Sequence, residues 1–115
     1  MSETGKKVKQ FVIVALRRAS LRWPGRYLTQ KKARVERGKY LCNMCKQIHR
    51  RKDIVVDHVL PVVDPKVGWE GFDSFIMRLF CKEEGFQVLC RPCHQVKNKL
   101  EGKVRVRQRR KKKNE

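Results

Sequence analysis

An α+β fold, small and built on short strands, is what this sequence of 115 residues predicts. Three observations carry that reading. Apolar residues near the N-terminus recur at helical spacing, two short runs rich in β-branched or aromatic residues lie further along, and two C-x-x-C pairs bracket the second half of the chain. The length fits one domain, and at this size about two-thirds of the unfolded surface can be buried. With 40% hydrophobic and 36% charged residues the core is thin, so a staple beyond apolar burial is expected.

In chain order, residues 8–22 are predicted helical because Phe11, Val12, Ala15, Leu16 and Ala19 recur at helical spacing, with Arg17 on the opposite side. Trp23-Pro24-Gly25 ends that helix, since proline disfavours helical geometry in the residue before it. A second helix is expected from Arg26 to Arg37, closed by Gly38 and carrying Lys31, Lys32, Arg34 and Arg37 on a basic face. Tyr40 to Cys45 reads as a cysteine knuckle, and Ile54-Val55-Val56 as a short strand that delivers Asp57 and His58. The stretch from Pro61 to Gly71 is a loop. A helix then runs through Cys81, with Asp73 or Ser74 as its cap and Phe72, Phe75, Ile76, Leu79 and Phe80 as its core stripe. Phe86 to Leu89 forms a second short strand, and a last helix starts near Pro92 and runs to about Glu101. The domain organisation expected is a basic helical extension over 1–37, a core over 38–102, and a basic disordered tail over 103–115.

Charge narrows the function classes. There are 30 Lys and Arg against 11 Asp and Glu, a net charge of +19. The tail from Lys103 to Glu115 contributes seven of these charges, which leaves the body strongly basic by itself. A field of this sign suits a polyanionic partner, nucleic acid first, with solubility or an anionic membrane surface as the blander readings. No hydrophobic run reaches membrane-spanning length, and the polar, basic start of the chain does not read as a secretion signal. A cytoplasmic protein with no membrane partner is expected.

Five cysteines without such a signal suggest metal ligation rather than disulfides. Cys42-x-x-Cys45 and Cys90-x-x-Cys93 have the spacing that lets two thiolates of each pair face one tetrahedral centre, so a structural zinc site of four cysteines is predicted. Cys81 falls on the apolar side of its helix and reads as a small core residue.

The remaining chemistry lies near the histidines. His58 follows Asp57 at a strand end, and His94 follows the zinc ligand Cys93 in the first turn of the last helix. Lys97 and Asn98 share a helix face with His94. If the two strands pair and the helix packs back over them, Asp57, His58 and His94 meet. A carboxylate and an imidazole there could hold a divalent cation and leave one histidine as general base.

These residues resemble the zinc-containing branch of the HNH endonucleases. The resemblance rests on Asp57-His58-Val59-Leu60-Pro61, on Phe86-Gln87-Val88-Leu89-Cys90-x-x-Cys93-His94-x-x-Lys97, and on the preceding Cys42-x-x-Cys45. The stretch Gly68-Trp69-Glu70-Gly71-Phe72-Asp73-Ser74-Phe75-Ile76-x-Arg78-Leu79-Phe80 is similar to the small HNH proteins of tailed phages. Together these span about residues 23–101. The resemblance implies a ββα-metal core (His-Me finger) and hydrolysis of DNA phosphodiesters, largely independent of sequence, in the cytoplasm of a host cell. It implies His58 as the general base, Asp57 and His94 as ligands of one catalytic Mg²⁺ or Mn²⁺, and the four cysteines as ligands of structural Zn²⁺. Asn98 matches a place where some members, such as the colicin DNases, carry a further metal ligand. Lys97 is implied as a phosphate contact, though a solvated helix lysine would look the same. Arg50 and Arg51 are candidate nucleic-acid contacts, and His49 beside them reads as a surface residue touching backbone phosphate.

One position departs from the pattern. The family's middle asparagine, which braces the catalytic loop, falls here at Gly85, so any bracing must come from backbone or another side chain. Two further readings stay open. A non-catalytic zinc module could bind DNA or RNA with the cysteines and the charge alone, without needing Asp57, His58 and His94 together. A nuclease-like fold could also act as accessory to a phage DNA-packaging terminase.

Overall fold

The computed structural model of the chain describes residues 2–113. Helix α1 spans Glu3–Ser20, further toward the N-terminus than apolar spacing indicates. The reason is local: the Ser2 hydroxyl accepts the Gly5 N–H at 3.0 Å, and Glu3 in the first turn suits the helix dipole, as Arg17 and Arg18 suit the last. Helix α2 spans Pro24–Ala33, with Pro24 in its first turn where the missing N–H is no loss.

The expected continuation of α2 to Arg37 is corrected. Arg34–Glu36 is a strand, β1, which pairs antiparallel with β2 (Lys39–Leu41) across a turn where Gly38 has φ +76°. The helical part of the N-terminal region therefore stops at Ala33. Strand β3 (Ile48–Arg50) completes this small antiparallel sheet in the order β1-β2-β3. A single 3-10 turn over Arg51–Asp53 leads into β4 (Ile54–His58), which includes Asp57 and His58 in the strand.

Helix α3 spans Phe72–Leu79 and ends short of Cys81. Its N-cap is Gly71 at φ +100°, with no side-chain capping bond, so neither Asp73 nor Ser74 caps it. Both lie inside the helix. After a 3-10 turn over Glu83–Gly85, strand β5 (Phe86–Cys90) pairs antiparallel with β4 in an unbroken register from Ile54–Cys90 to His58–Phe86. Helix α4 then spans Arg91–Lys113. The expected helix end near Glu101 is corrected, since the helix continues through Lys113; residues 114–115 of the expected tail lie outside the described residues.

The core is three small clusters rather than one. Tyr40, Ile54 and Val88 join the two sheets; Cys42, Leu89 and Cys90 lie beside them; Val62, Phe75 and Leu79 pack with Ile13, Leu16, Trp69 and Phe72. Helix α2 is tied to the body by α2–β5 packing and by Trp23, whose Nε1–H donates to the Cys81 carbonyl at 2.6 Å. Gly25 allows that approach, because a Cβ there would lie 2.9 Å from the Phe86 ring. Among the described residues, no helix is long and apolar enough to cross a membrane.

Candidate functional site: a cysteine centre and an adjoining cleft

The four cysteines of the two C-x-x-C pairs come together. Cys42 leaves β2, Cys45 lies in the turn that follows, Cys90 ends β5, and Cys93 sits in the first turn of α4. The turn closes because Lys46, at φ +61°, donates its N–H to the Cys42 carbonyl at 3.0 Å while the Cys42 N–H reaches the Gln47 carbonyl. All four Sγ atoms lie within 4.8 Å of one another, and Cys45 Sγ is 3.9 Å from Cys90 Sγ. Thiolates about 2.3 Å from a tetrahedral zinc would be about 3.8 Å apart, so the set can hold a structural metal such as zinc.

The thiols pull apart in acidity. Burial pushes Cys42 up, but N–H groups of Cys45, Cys90 and Met44 outweigh it and hold that thiol at about 6. Cys93 is pushed up to about 12, chiefly by its hydrogen bond with Cys90 and by burial. Four neighbouring thiols cannot all ionise without a cation, which is the imbalance a bound divalent metal relieves. One neighbour of this centre escapes sequence reasoning. His49, expected at the surface, is half-buried and places Nε2 3.7 Å from Cys45 Sγ. The hairpin return of β3 beside β2 brings it there, and no linear spacing announces that.

The second constellation lies where α4 crosses β4 and β5. Asp57 Oδ1 is 3.5 Å from His94 Nε2, and Lys97 Nζ is 2.7 Å from Asp57 Oδ2. Lys97 also donates to the His58 carbonyl at 2.8 Å and pairs with Glu101 at 2.9 Å. Asp57, His58, His94, Lys97 and Asn98 all line one cleft of about 350 Å³, whose far wall comes from α1 and α2. A polar relay joins the cleft to the cysteine knuckle. Asn43 Nδ2 donates to Gln87 Oε1 at 2.8 Å, and Gln87 Nε2 approaches Asp57 Oδ2 at 3.4 Å.

His58 is buried, with its ring 4.7 Å from that of Phe86. Its Nε2 lies 2.9 Å from the Leu79 carbonyl oxygen. A carbonyl can only accept, so Nε2 carries the proton and Nδ1 keeps its lone pair. Burial pulls the His58 pKa below its ordinary value, the bond to Leu79 opposes this, and the Arg26 charge adds to the lowering. The ring is thus held neutral, the form a general base requires.

A divalent cation fits this geometry in part. One carboxylate oxygen and one imidazole nitrogen 3.5 Å apart can share an ion at roughly 2.0–2.2 Å from each, with the cleft side left open. The other Asp57 oxygen is engaged by Lys97. Asn98 lines the cleft but is exposed. Arg50 and Arg51 are exposed at the end of β3 and in the next turn, Arg50 lying 3.7 Å from Asp53. At Gly85 the backbone carbonyl accepts the Val59 N–H at 2.9 Å, which braces the chain just after His58 without a side chain. A Cβ at residue 85 would lie 2.5 Å from Cys81 Sγ. Comparison with known proteins finds no family, no curated protein and no solved structure that matches the chain.

Proposed function

We propose that this chain is a metal-dependent DNA endonuclease of the HNH type, with β4, β5 and the start of α4 as its ββα-metal core. The observation that carries the reading is the meeting of Asp57 and a neutral His58 from β4 with His94 in one cleft, His94 lying on the helix whose first turn belongs to the cysteine centre. A non-catalytic zinc module has no need of that combination.

On this reading His58 Nδ1 accepts a proton from the attacking water. The water oxygen bonds to phosphorus, and the bond from phosphorus to the 3′ oxygen breaks. The Leu79 carbonyl fixes the His58 ring and its tautomer. Asp57 and His94 would hold a Mg²⁺ or Mn²⁺ ion, which supplies Lewis-acid stabilisation of charge on the phosphate and the leaving oxygen. Lys97 orients Asp57 and adds positive charge near the phosphate. The +19 net charge gives binding to DNA that is largely indifferent to sequence.

One observation favours the rival, a zinc module that binds nucleic acid without cutting it. Asp57 is already paired with Lys97, as a carboxylate in a purely structural ion pair would be. Incubation of supercoiled plasmid with purified protein separates the two. The nuclease reading expects nicked or linear product with Mg²⁺ or Mn²⁺ and none with EDTA. Tight binding with no cleavage under any divalent ion would establish the module instead.

A further inference from the structure

Arg26 is one of the charged groups in the cleft that the proposed chemistry leaves unassigned. It sits in the first turns of α2, half-buried, on the cleft wall facing Asp57 and His58. Its guanidinium is held in place rather than mobile. Nη1 donates to the Val56 carbonyl at 3.0 Å, and the group lies 5.2 Å from the Phe86 ring centre. Its charge is poorly matched, since no carboxylate lies within ion-pair distance of it among the described residues and its Nε is sealed from solvent without a hydrogen-bond partner. A half-buried guanidinium charge with no carboxylate at ion-pair distance is costly, and an anionic ligand in the cleft would offset that cost.

Arg17 of α1 lines the same cleft, its guanidinium 5.5 Å from the Phe75 ring centre. Two helices outside the strand–helix core therefore contribute cations to the cleft that His58 lines. A planar guanidinium is the side chain best matched to the oxygens of a tetrahedral phosphate.

We propose that Arg26, assisted by Arg17, forms an anion subsite of the cleft that holds the non-bridging oxygens of a phosphodiester. As a role in catalysis this rests on the nuclease reading; as a phosphate-binding site it does not. It also gives the N-terminal helices a function in the site beyond general attraction of DNA.

The test uses the full chain with its zinc retained, and two probes too small to bridge the cleft and the basic tail: inorganic phosphate and bis(p-nitrophenyl) phosphate. Millimolar phosphate is expected to raise the melting temperature of the wild type and of Arg109→Gln, a control for general charge, but not of Arg26→Gln. With Mn²⁺, diester hydrolysis by Arg26→Gln is expected to fall about a hundredfold, as for loss of one oxyanion donor. Arg26→Lys should recover part of that loss, while Mn²⁺ affinity and zinc content stay unchanged. Arg17→Gln, on a more exposed side chain, should lose several-fold and covers the case in which Arg26→Gln does not fold. Phosphate stabilisation that survives in Arg26→Gln and Arg17→Gln overturns the subsite, even if both still cut DNA. Phosphate stabilisation lost in these variants, with neither the small diester nor supercoiled plasmid cut by the wild type, upholds the subsite and removes the nuclease.

Discussion

The cysteine centre and the cleft beside it share a helix, yet they are built on opposite plans. Cys93 and His94 are consecutive in the first turn of α4, one facing each site. The cysteine centre has four donors of one kind, drawn within 4.8 Å and fixed by backbone N–H groups on the Cys42 side. The cleft has unlike donors, a carboxylate and two imidazoles, and an open side of about 350 Å³ ringed by arginine and lysine. Closed sets of identical ligands hold structure, whereas open mixed sets leave room for a reacting molecule. Placing both on one turn lets the first orient the second.

The most severe way to break that comparison is to remove the metal from the cysteine centre. Structural zinc contributes roughly 10–16 kcal/mol of apparent binding energy in small domains, as much as a domain's whole stability. Cys90→Ala, or extraction with a strong chelator, should abolish the cooperative melt seen by circular dichroism. Elemental analysis should find one zinc per chain in untreated protein. A well-folded, metal-free preparation would show that the cysteines do not staple the fold.

Next in size are the cleft variants. His58→Ala should slow plasmid nicking about 10²–10⁴-fold, the usual cost of losing a general base. Because His58 is buried and bonded to the Leu79 carbonyl, the same change should lower stability by about 1–3 kcal/mol while leaving a folded, zinc-loaded chain. Asp57→Ala and His94→Ala should instead weaken Mn²⁺ binding in calorimetry and regain part of their activity at high Mn²⁺. Rescue of His58→Ala by Mn²⁺ would reverse the assignment of base and ligand.

A pH series sharpens the contrast further. The His58 pKa is depressed by burial below its ordinary 6.5, so the folded state favours the neutral ring. Its contribution to stability is complete above that ordinary value and is lost as pH falls through the depressed one. Cleavage should persist below pH 6.5 and fail only at more acidic pH, and His58→Gln should flatten the histidine step in the melting temperature. A rate that already halves near pH 6.5 would mean the base is solvated.

The smallest effect belongs to the end of α4. Removing residues 103–115 should weaken DNA binding and flatten its salt dependence by about 0.9 in log–log slope for each phosphate that this segment neutralises. Cleavage at saturating protein should be unchanged. An unaltered slope would place the DNA-binding surface entirely on the body of the protein.

What could be read in the sequence was what rests on spacing. The paired cysteines and the strands expected at 54–56 and 86–89 follow from short-range patterns and are found, each strand one or two residues longer; of the expected α3 stripe Phe75 and Leu79 are buried, whereas Ile76 is exposed and Phe80 lies just past the helix end. Strand β1 was hidden because Arg-Val-Glu is three residues long and fully exposed, with no apolar alternation to mark it. The Gly71 cap was hidden because no side chain caps this helix, whose N-cap is a glycine at φ +100°. In the cleft, the sequence placed Asp57, His58 and His94 near one another but held no sign of Arg26, whose position depends on how α2 packs against β5.

The close approach of Gly85 to Cys81 sets an order in which this sequence can change. An asparagine introduced at residue 85 alone would drive its Cβ to 2.5 Å from the Cys81 sulfur, and so would any other side chain. Replacement of Cys81 by a smaller residue opens the space first and by itself removes only a thiol that is half-buried. The two substitutions are therefore permitted in one sequence and resisted in the other. A side chain at residue 85 has to follow a change at residue 81 rather than precede it.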